Sequence, residues 1–169
     1  MLGRGLDERA EQIVRAYSER GLKIVTAESC TGGLVAGCLT AVAGSSAVVE
    51  RGFVTYSNEA KIELLAVPAE LIARFGAVSA ETAAAMAYGA LAHSHADIAV
   101  SVTGIAGPGG GSAEKPVGLV HFACARRDQR PSVVEKRFGD LGRAMVRQKS
   151  VEVALDLLAE AALAAPARP

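Results

Sequence analysis

Short runs rich in β-branched residues alternate along this chain with stretches of helical period, and the junctions carry glycine, proline or a capping hydroxyl. Few architectures accept that alternation. Strand-type runs lie at 23–27, 48–56, 98–103, 117–124 and 132–138, the last suited to a sheet edge. Leu6, Ala10, Ile13, Val14 and Tyr17 recur at helical spacing, and Gly21 stands where a left-handed residue would end that helix. Segments 32–40, 58–65, 68–76, 80–94 and 142–165 also read as helices. Pro68 disfavours helical geometry at Val67, so the 58–65 helix has to stop there, and Ser79 is placed to cap the Ala-rich helix that follows it. The pattern predicts an α/β fold, a three-layer α/β/α sandwich. Consecutive strands near the end make its sheet mixed, though mostly parallel. A chain of 169 residues suffices for one domain, 1–169, with a full core. Half of the residues are hydrophobic but only 4% are aromatic, so Ala, Val and Leu have to fill that core.

Charge excludes one class of partner. Formal net charge is zero and the charged residues are scattered, so nucleic-acid binding by phosphate neutralisation has no footprint. The N-terminus carries charges where a secretory signal needs apolar residues, and the longest apolar run, 34–49, is short and broken by glycine, serine and threonine. Neither export nor membrane insertion is expected. Cys30, Cys38 and Cys124 have no metal-site spacing and form no even disulfide set, as befits a reducing cytoplasm.

Three segments offer chemistry. The run Thr26-Ala-Glu-Ser-Cys-Thr-Gly-Gly33 puts the Ser29 hydroxyl after a strand and before a helix whose first amides have no helical partner. That geometry serves acyl transfer, with the amides of Thr31, Gly32 and Gly33 as candidate donors to an oxyanion. Ser29 or Thr31 can equally be a helix cap. Of the possible bases, His93 and His95 close a helix and His121 sits mid-strand, where surface or core roles are the simpler reading; nor is there a third metal ligand at a recognisable spacing. Lys61 is the better candidate. In Phe53-Val-Thr-Tyr-Ser-Asn-Glu-Ala-Lys61 a strand runs into a helix, so Tyr56 and Lys61 can both face Ser29, provided that burial or a nearby cation lowers the lysine pKa. Spacing alone also allows a solvated helix lysine. The third segment, from Thr103 and Gly104 through Gly107 to Gly118, can cradle a ligand or act as a connector; it lacks the Lys-Ser/Thr of a P-loop.

Together and in this order, these blocks resemble the CinA C-terminal domain family, whose members include nicotinamide-nucleotide amidases. The likeness runs from about residue 11 to residue 159. It is carried by Ala27-Glu-Ser-Cys-Thr-Gly-Gly33, Tyr56-Ser-Asn-Glu-Ala-Lys61, Gly76-Ala-Val-Ser79, Thr103-Gly-Ile-Ala-Gly-Pro108 and Glu114-Lys-Pro-Val-Gly118. The resemblance implies hydrolysis of the carboxamide of nicotinamide mononucleotide to nicotinate mononucleotide and ammonia, without metal or other cofactor. It implies Ser29 as nucleophile with Lys61 and Tyr56 as partners, Thr103 and Arg143 as substrate contacts, and a cytoplasmic homo-oligomer. The family usually reads Gly-Asp-Arg before the last helix, whereas this chain has Gly139-Asp-Leu-Gly-Arg143, so Arg143 is assigned by the helix that follows it. The family domain often follows a larger N-terminal domain; none is expected here, and no activity of such a domain is inferred. Two alternatives keep the fold: a Cys30 nucleophile, and a non-catalytic module that binds a nucleotide. A metal-dependent hydrolase is a third reading, which chelation would test.

Overall fold

The computed structural model describes residues 4–164 apart from Asp128. Its elements, in chain order, are α1 (Arg4–Glu19), β1 (Ile24–Glu28), α2 (Leu34–Thr40), a short 3-10 turn (Ser45–Ala47), β2 (Val49–Val54), α3 (Asn58–Leu65), α4 (Ala69–Phe75), α5 (Ala80–Ala92), β3 (Ile98–Gly104), β4 (Leu119–Arg126), β5 (Ser132–Arg137) and α6 (Arg143–Ala164). Every helix and strand expected from the pattern is present. The end of the last helix expected at residue 165 lies outside the described residues.

The five strands form one sheet in the order β2-β1-β3-β4-β5. β1 pairs in parallel with both β2 and β3, while β4 is antiparallel to β3 and β5 to β4, so four of the five strands run the same way. Alternation along each strand sorts the core. Ile24, Ile98, Val100, Val102, Val120 and Phe122 pack with α1, α2 and α6 on one face. Val25, Ala27, Ala99, Ala123 and Ala125 meet Ala83, Met86, Ala87 and Ala90 of α5 on the other. This is the three-layer α/β/α sandwich, and its second interface is built from alanine, which lets α5 lie close to the sheet.

Element ends follow local chemistry. The first helix closes through Gly21 at φ 64, a conformation that glycine adopts at little cost. Ser57 and Ser79 cap α3 and α5, accepting from Ala60 N at 3.0 Å and Thr82 N at 3.1 Å. α2 begins two residues later than its sequence suggests, because Gly32 and Gly33 are left-handed and belong to the preceding turn. β4 likewise starts at Leu119, since Gly118 is left-handed and a Cβ there would collide with the Gly139 backbone. α3 and α5 cross in backbone contact: a Cβ on Gly89 would fall on the carbonyl oxygen of Leu65.

The connection leaving β1 packs on one face of the sheet and that leaving β2 on the other. Helices that part in this way open a crevice at the carboxyl ends of the strands between them. The residues 28–33 and 55–61 meet there.

Candidate active site

Ser29 follows the last residue of β1 and is 8% exposed; Lys61, in the first turns of α3, is 1% exposed. Lys61 Nζ lies 3.1 Å from Ser29 Oγ. The solvated-lysine alternative therefore fails, and the reason is local: the Ser57 cap starts α3 so that position 61 points inward under the end of β2. The amine donates to the Thr55 carbonyl at 2.8 Å and lies 3.4 Å from the carbonyls of Tyr56 and Ser57. Burial disfavours the ammonium and lowers the Lys61 pKa below the usual lysine value.

The turn after β1 is held from both sides. Glu28 is fully buried, and its carboxylate accepts the amides of Gly33, Val35 and Ala36 at 3.1, 3.0 and 2.9 Å. Bonds to a charged acceptor stabilise by roughly 1.5–3 kcal/mol each. The capping alternative for Ser29 and Thr31 is thus answered by their neighbour: neither hydroxyl caps α2, and Glu28 supplies the acceptor. From the opposite side Arg147 of α6 donates Nε to the Cys30 carbonyl at 3.1 Å and Nη2 to the Thr31 carbonyl at 3.0 Å. Ser29 N donates to Val102 O at 2.9 Å and Gly32 N to Ser29 O at 3.0 Å. Of the three amides expected to face an oxyanion, those of Gly32 and Gly33 are therefore already engaged. The amide of Thr31 has no acceptor among the described residues, and that of Cys30 meets only its own thiol.

The crevice has a volume of about 210 Å³ and is lined by Ser29, Cys30, Tyr56, Lys61, Thr103, Gly104 and Arg143, with Asn58, Ala77, Val78 and Ala106 completing the wall. Arg143, the first residue of α6, donates to the Tyr56 hydroxyl at 2.7 Å and to the Gly107 carbonyl at 3.0 Å, tying together the ends of β2, the glycine-rich segment and α6. Tyr56 is 58% exposed and stands at the open end. The Thr103 hydroxyl donates to the Ala77 carbonyl at 2.7 Å. Gly104 and Gly107 have packing reasons of their own, because a Cβ on Gly104 would meet Val120 Cγ2 at 2.7 Å and one on Gly107 would meet Val117 Cγ1 at 2.7 Å.

The histidine candidates lie elsewhere. None of His93, His95 and His121 lines the crevice. His121, in β4 beside Thr103, is nearly buried, and burial lowers its pKa. Cys30 borders the crevice, but burial pushes its thiol up to about 12, which leaves it neutral where a thiolate would be needed. Sequence reasoning missed Glu28, Arg147 and Lys115. The Lys115 ammonium holds the crevice-lining loop from behind, donating to the carbonyls of Phe75 at 2.5 Å and Val78 at 2.8 Å. Glu28 could have been found as a carboxylate that precedes a helix start rich in free amides; the two basic residues left no comparable mark.

These features define an α/β protein with a buried serine–lysine pair in a small crevice at its parallel strand ends. Residues 6–162 match the CinA C-terminal domain, and the chain belongs to that family. Among solved structures, the competence/damage inducible protein CihA of Agrobacterium tumefaciens is 54% identical with a TM-score of 0.93, the match covering 95% of this chain and 97% of that one. The nicotinamide-nucleotide amidohydrolase PncC of Escherichia coli K12 is 57% identical over 120 residues, 71% of this chain and 73% of the relative. A CinA-like protein of Citrifermentans bemidjiense is 54% identical over 154 residues, 90% of this chain. The chain spans only about a third of the length of the first curated relatives it matches, 36%, 29% and 38%. Among the described residues no helix is long and apolar enough to cross a membrane.

Proposed function

We propose that this chain is an amidohydrolase that converts nicotinamide mononucleotide and water to nicotinate mononucleotide and ammonia. The observation that carries the reading is the 3.1 Å approach of Lys61 Nζ to Ser29 Oγ, two nearly buried groups in one crevice. The 57% identity to the Escherichia coli amidohydrolase supports the choice of substrate.

The neutral Lys61 amine takes the proton of Ser29 as Oγ attacks the carboxamide carbon. Electrons of the C=O bond move to oxygen, and the amides of Thr31, which is free, and of Cys30, which meets only its own thiol, are the donors available to that oxyanion, each worth roughly 3–4 kcal/mol. The Lys61 ammonium then protonates the leaving nitrogen, the C–N bond breaks and ammonia departs. Water, deprotonated by Lys61, hydrolyses the acyl-serine and the proton returns to Oγ. Burial of Lys61 makes the neutral amine accessible nearer neutral pH than for an ordinary lysine. At the open end Arg143, steadied by Gly107 and the Tyr56 hydroxyl, is the cation for the substrate phosphate, while Thr103 and Gly104 form the wall beside the ring. No cofactor enters this scheme. We assign the enzyme to the cytoplasm, where its three unbridged thiols stay reduced, and expect a homo-oligomer, which light scattering on the purified chain tests.

The deciding experiment is ammonia release from nicotinamide mononucleotide in the presence of chelator, with Ser29→Ala and Lys61→Ala beside the parent chain. Turnover that vanishes in both variants supports the reading. A folded parent chain that binds the nucleotide and releases no ammonia overturns it in favour of a binding module.

A further inference from the structure

The peptide units that carry the Cys30 and Thr31 amides are anchored through their carbonyls. The Ser29–Cys30 unit is held at Ser29 O by the Gly32 amide at 3.0 Å, and the Cys30–Thr31 unit at Cys30 O by Arg147 Nε at 3.1 Å. In a trans peptide the N–H points opposite to its C=O, so a bond that fixes the carbonyl also aims the amide. Arg147 therefore sets the direction of the Thr31 N–H while standing on its far side, at the start of a different helix and outside the crevice wall.

A second effect runs along the same peptide. A cationic donor on a carbonyl draws electron density toward oxygen and leaves the N–H of that unit a stronger donor. The second guanidinium nitrogen takes the next carbonyl, Thr31 O, at 3.0 Å, so two successive units are gripped by one planar fork. The next residue, Gly32, is left-handed at φ +61, which turns the chain just beyond the two gripped carbonyls.

We infer that Arg147 is a positioning residue for catalysis, holding and polarising the Thr31 amide that receives the developing oxyanion. The inference rests on the amidohydrolase reading, and its test uses two acyl donors so that either can fail separately. The first is nicotinamide mononucleotide under steady-state turnover. The second is p-nitrophenyl acetate, whose acetyl group passes to Ser29 Oγ as the ester C–O bond breaks and p-nitrophenolate leaves, followed by the nitrophenolate burst and by intact mass, with Ser29→Ala as control.

Arg147→Ala is expected to lower kcat by roughly 10–100-fold while KM stays within about twofold, since the guanidinium does not touch substrate. The Ser29 acetylation rate falls in parallel, the pH dependence of kcat stays in place because Lys61 is untouched, and added guanidinium restores part of the rate. Arg147→Lys, with one ammonium in place of a fork, falls in between and carries the test should the alanine variant not fold. A folded variant of either kind with unchanged kcat and unchanged acetylation overturns the inference, as does a loss confined to KM. No turnover of the nucleotide by the parent chain, with acetylation still slowed by Arg147→Ala, removes the substrate and leaves the positioning role standing.

Discussion

The two walls that meet at Ser29 are built from opposite halves of the peptide group. On the β1 side the carbonyls of Cys30 and Thr31 are turned back to Arg147 and the amides remain. On the β2 side the carbonyls of Thr55, Tyr56 and Ser57 surround the amine of Lys61. One wall is a field of donors suited to a growing negative charge; the other is a field of acceptors that orients an amine while burial holds down its affinity for a proton. The difference teaches that two short backbone segments, turned in opposite senses, can present donors beside a hydroxyl and acceptors around an amine.

The comparison breaks most visibly when a side chain at the meeting point is removed. Ser29→Ala and Lys61→Ala are each expected to reduce ammonia release by about 10³-fold or more, and residual turnover close to the parent's would end the serine–lysine scheme. The pH profile sharpens the acceptor wall. Because the folded-state pKa of Lys61 is lowered, the neutral base is lost as pH falls through that lowered value, and kcat declines on the acid side along a limb lying below 10.5. A limb at the ordinary lysine value would mean that burial does not tune the base.

Glu28→Gln tests the donor wall by replacing one accepting oxygen with an NH₂ group beside buried amides. A loss of about 1–3 kcal/mol in chemical denaturation is expected, together with slower turnover from a loosened turn. Lys61→Met acts in the other direction on stability. Between its folded and unfolded pKa values the native chain lacks a proton that the unfolded chain binds, so stability rises with pH through that window. The methionine variant should abolish this slope, gain on the order of 1 kcal/mol near neutral pH, and lose activity. Denaturation curves of parent and variant at several pH values check it. The smallest effect belongs to Cys30→Ala, which keeps both backbone groups and removes a thiol held neutral by burial; turnover within about threefold of the parent is expected.

The order of strands and helices was legible because each junction is marked by chemistry with a single local meaning: Pro68 behind α3, Ser79 before α5, Gly21 after α1. The pairing of Ser29 with Lys61 was legible once the blocks were taken together, since Ser29 follows β1 and Lys61 lies in the helix that follows its neighbour β2. What escaped was long-range. Arg147 reaches back across 117 residues to Cys30, and nothing in the period of a long helix distinguishes it from a solvated basic residue. The fate of the Gly32 and Gly33 amides escaped for a different reason, because spacing shows which amides lack a helical partner but not that a carboxylate at Glu28 folds over to take them. Ala66 shows the same limit: its left-handed φ of 52 ends α3 where no glycine announces it.

The place where α3 crosses α5 carries a mechanical meaning for the serine–lysine pair. Lys61 sits one turn before Leu65, whose carbonyl lies against Gly89, so the stance of the amine is registered on a distant stretch of main chain with no slack between them. A single methyl group at that crossing has to lever α3 outward by something like a bond length, about 1.5 Å, and the reach from amine to hydroxyl is only 3.1 Å. Gly89 works as a shim: its thickness sets how far the Lys61 amine stands from the Ser29 hydroxyl.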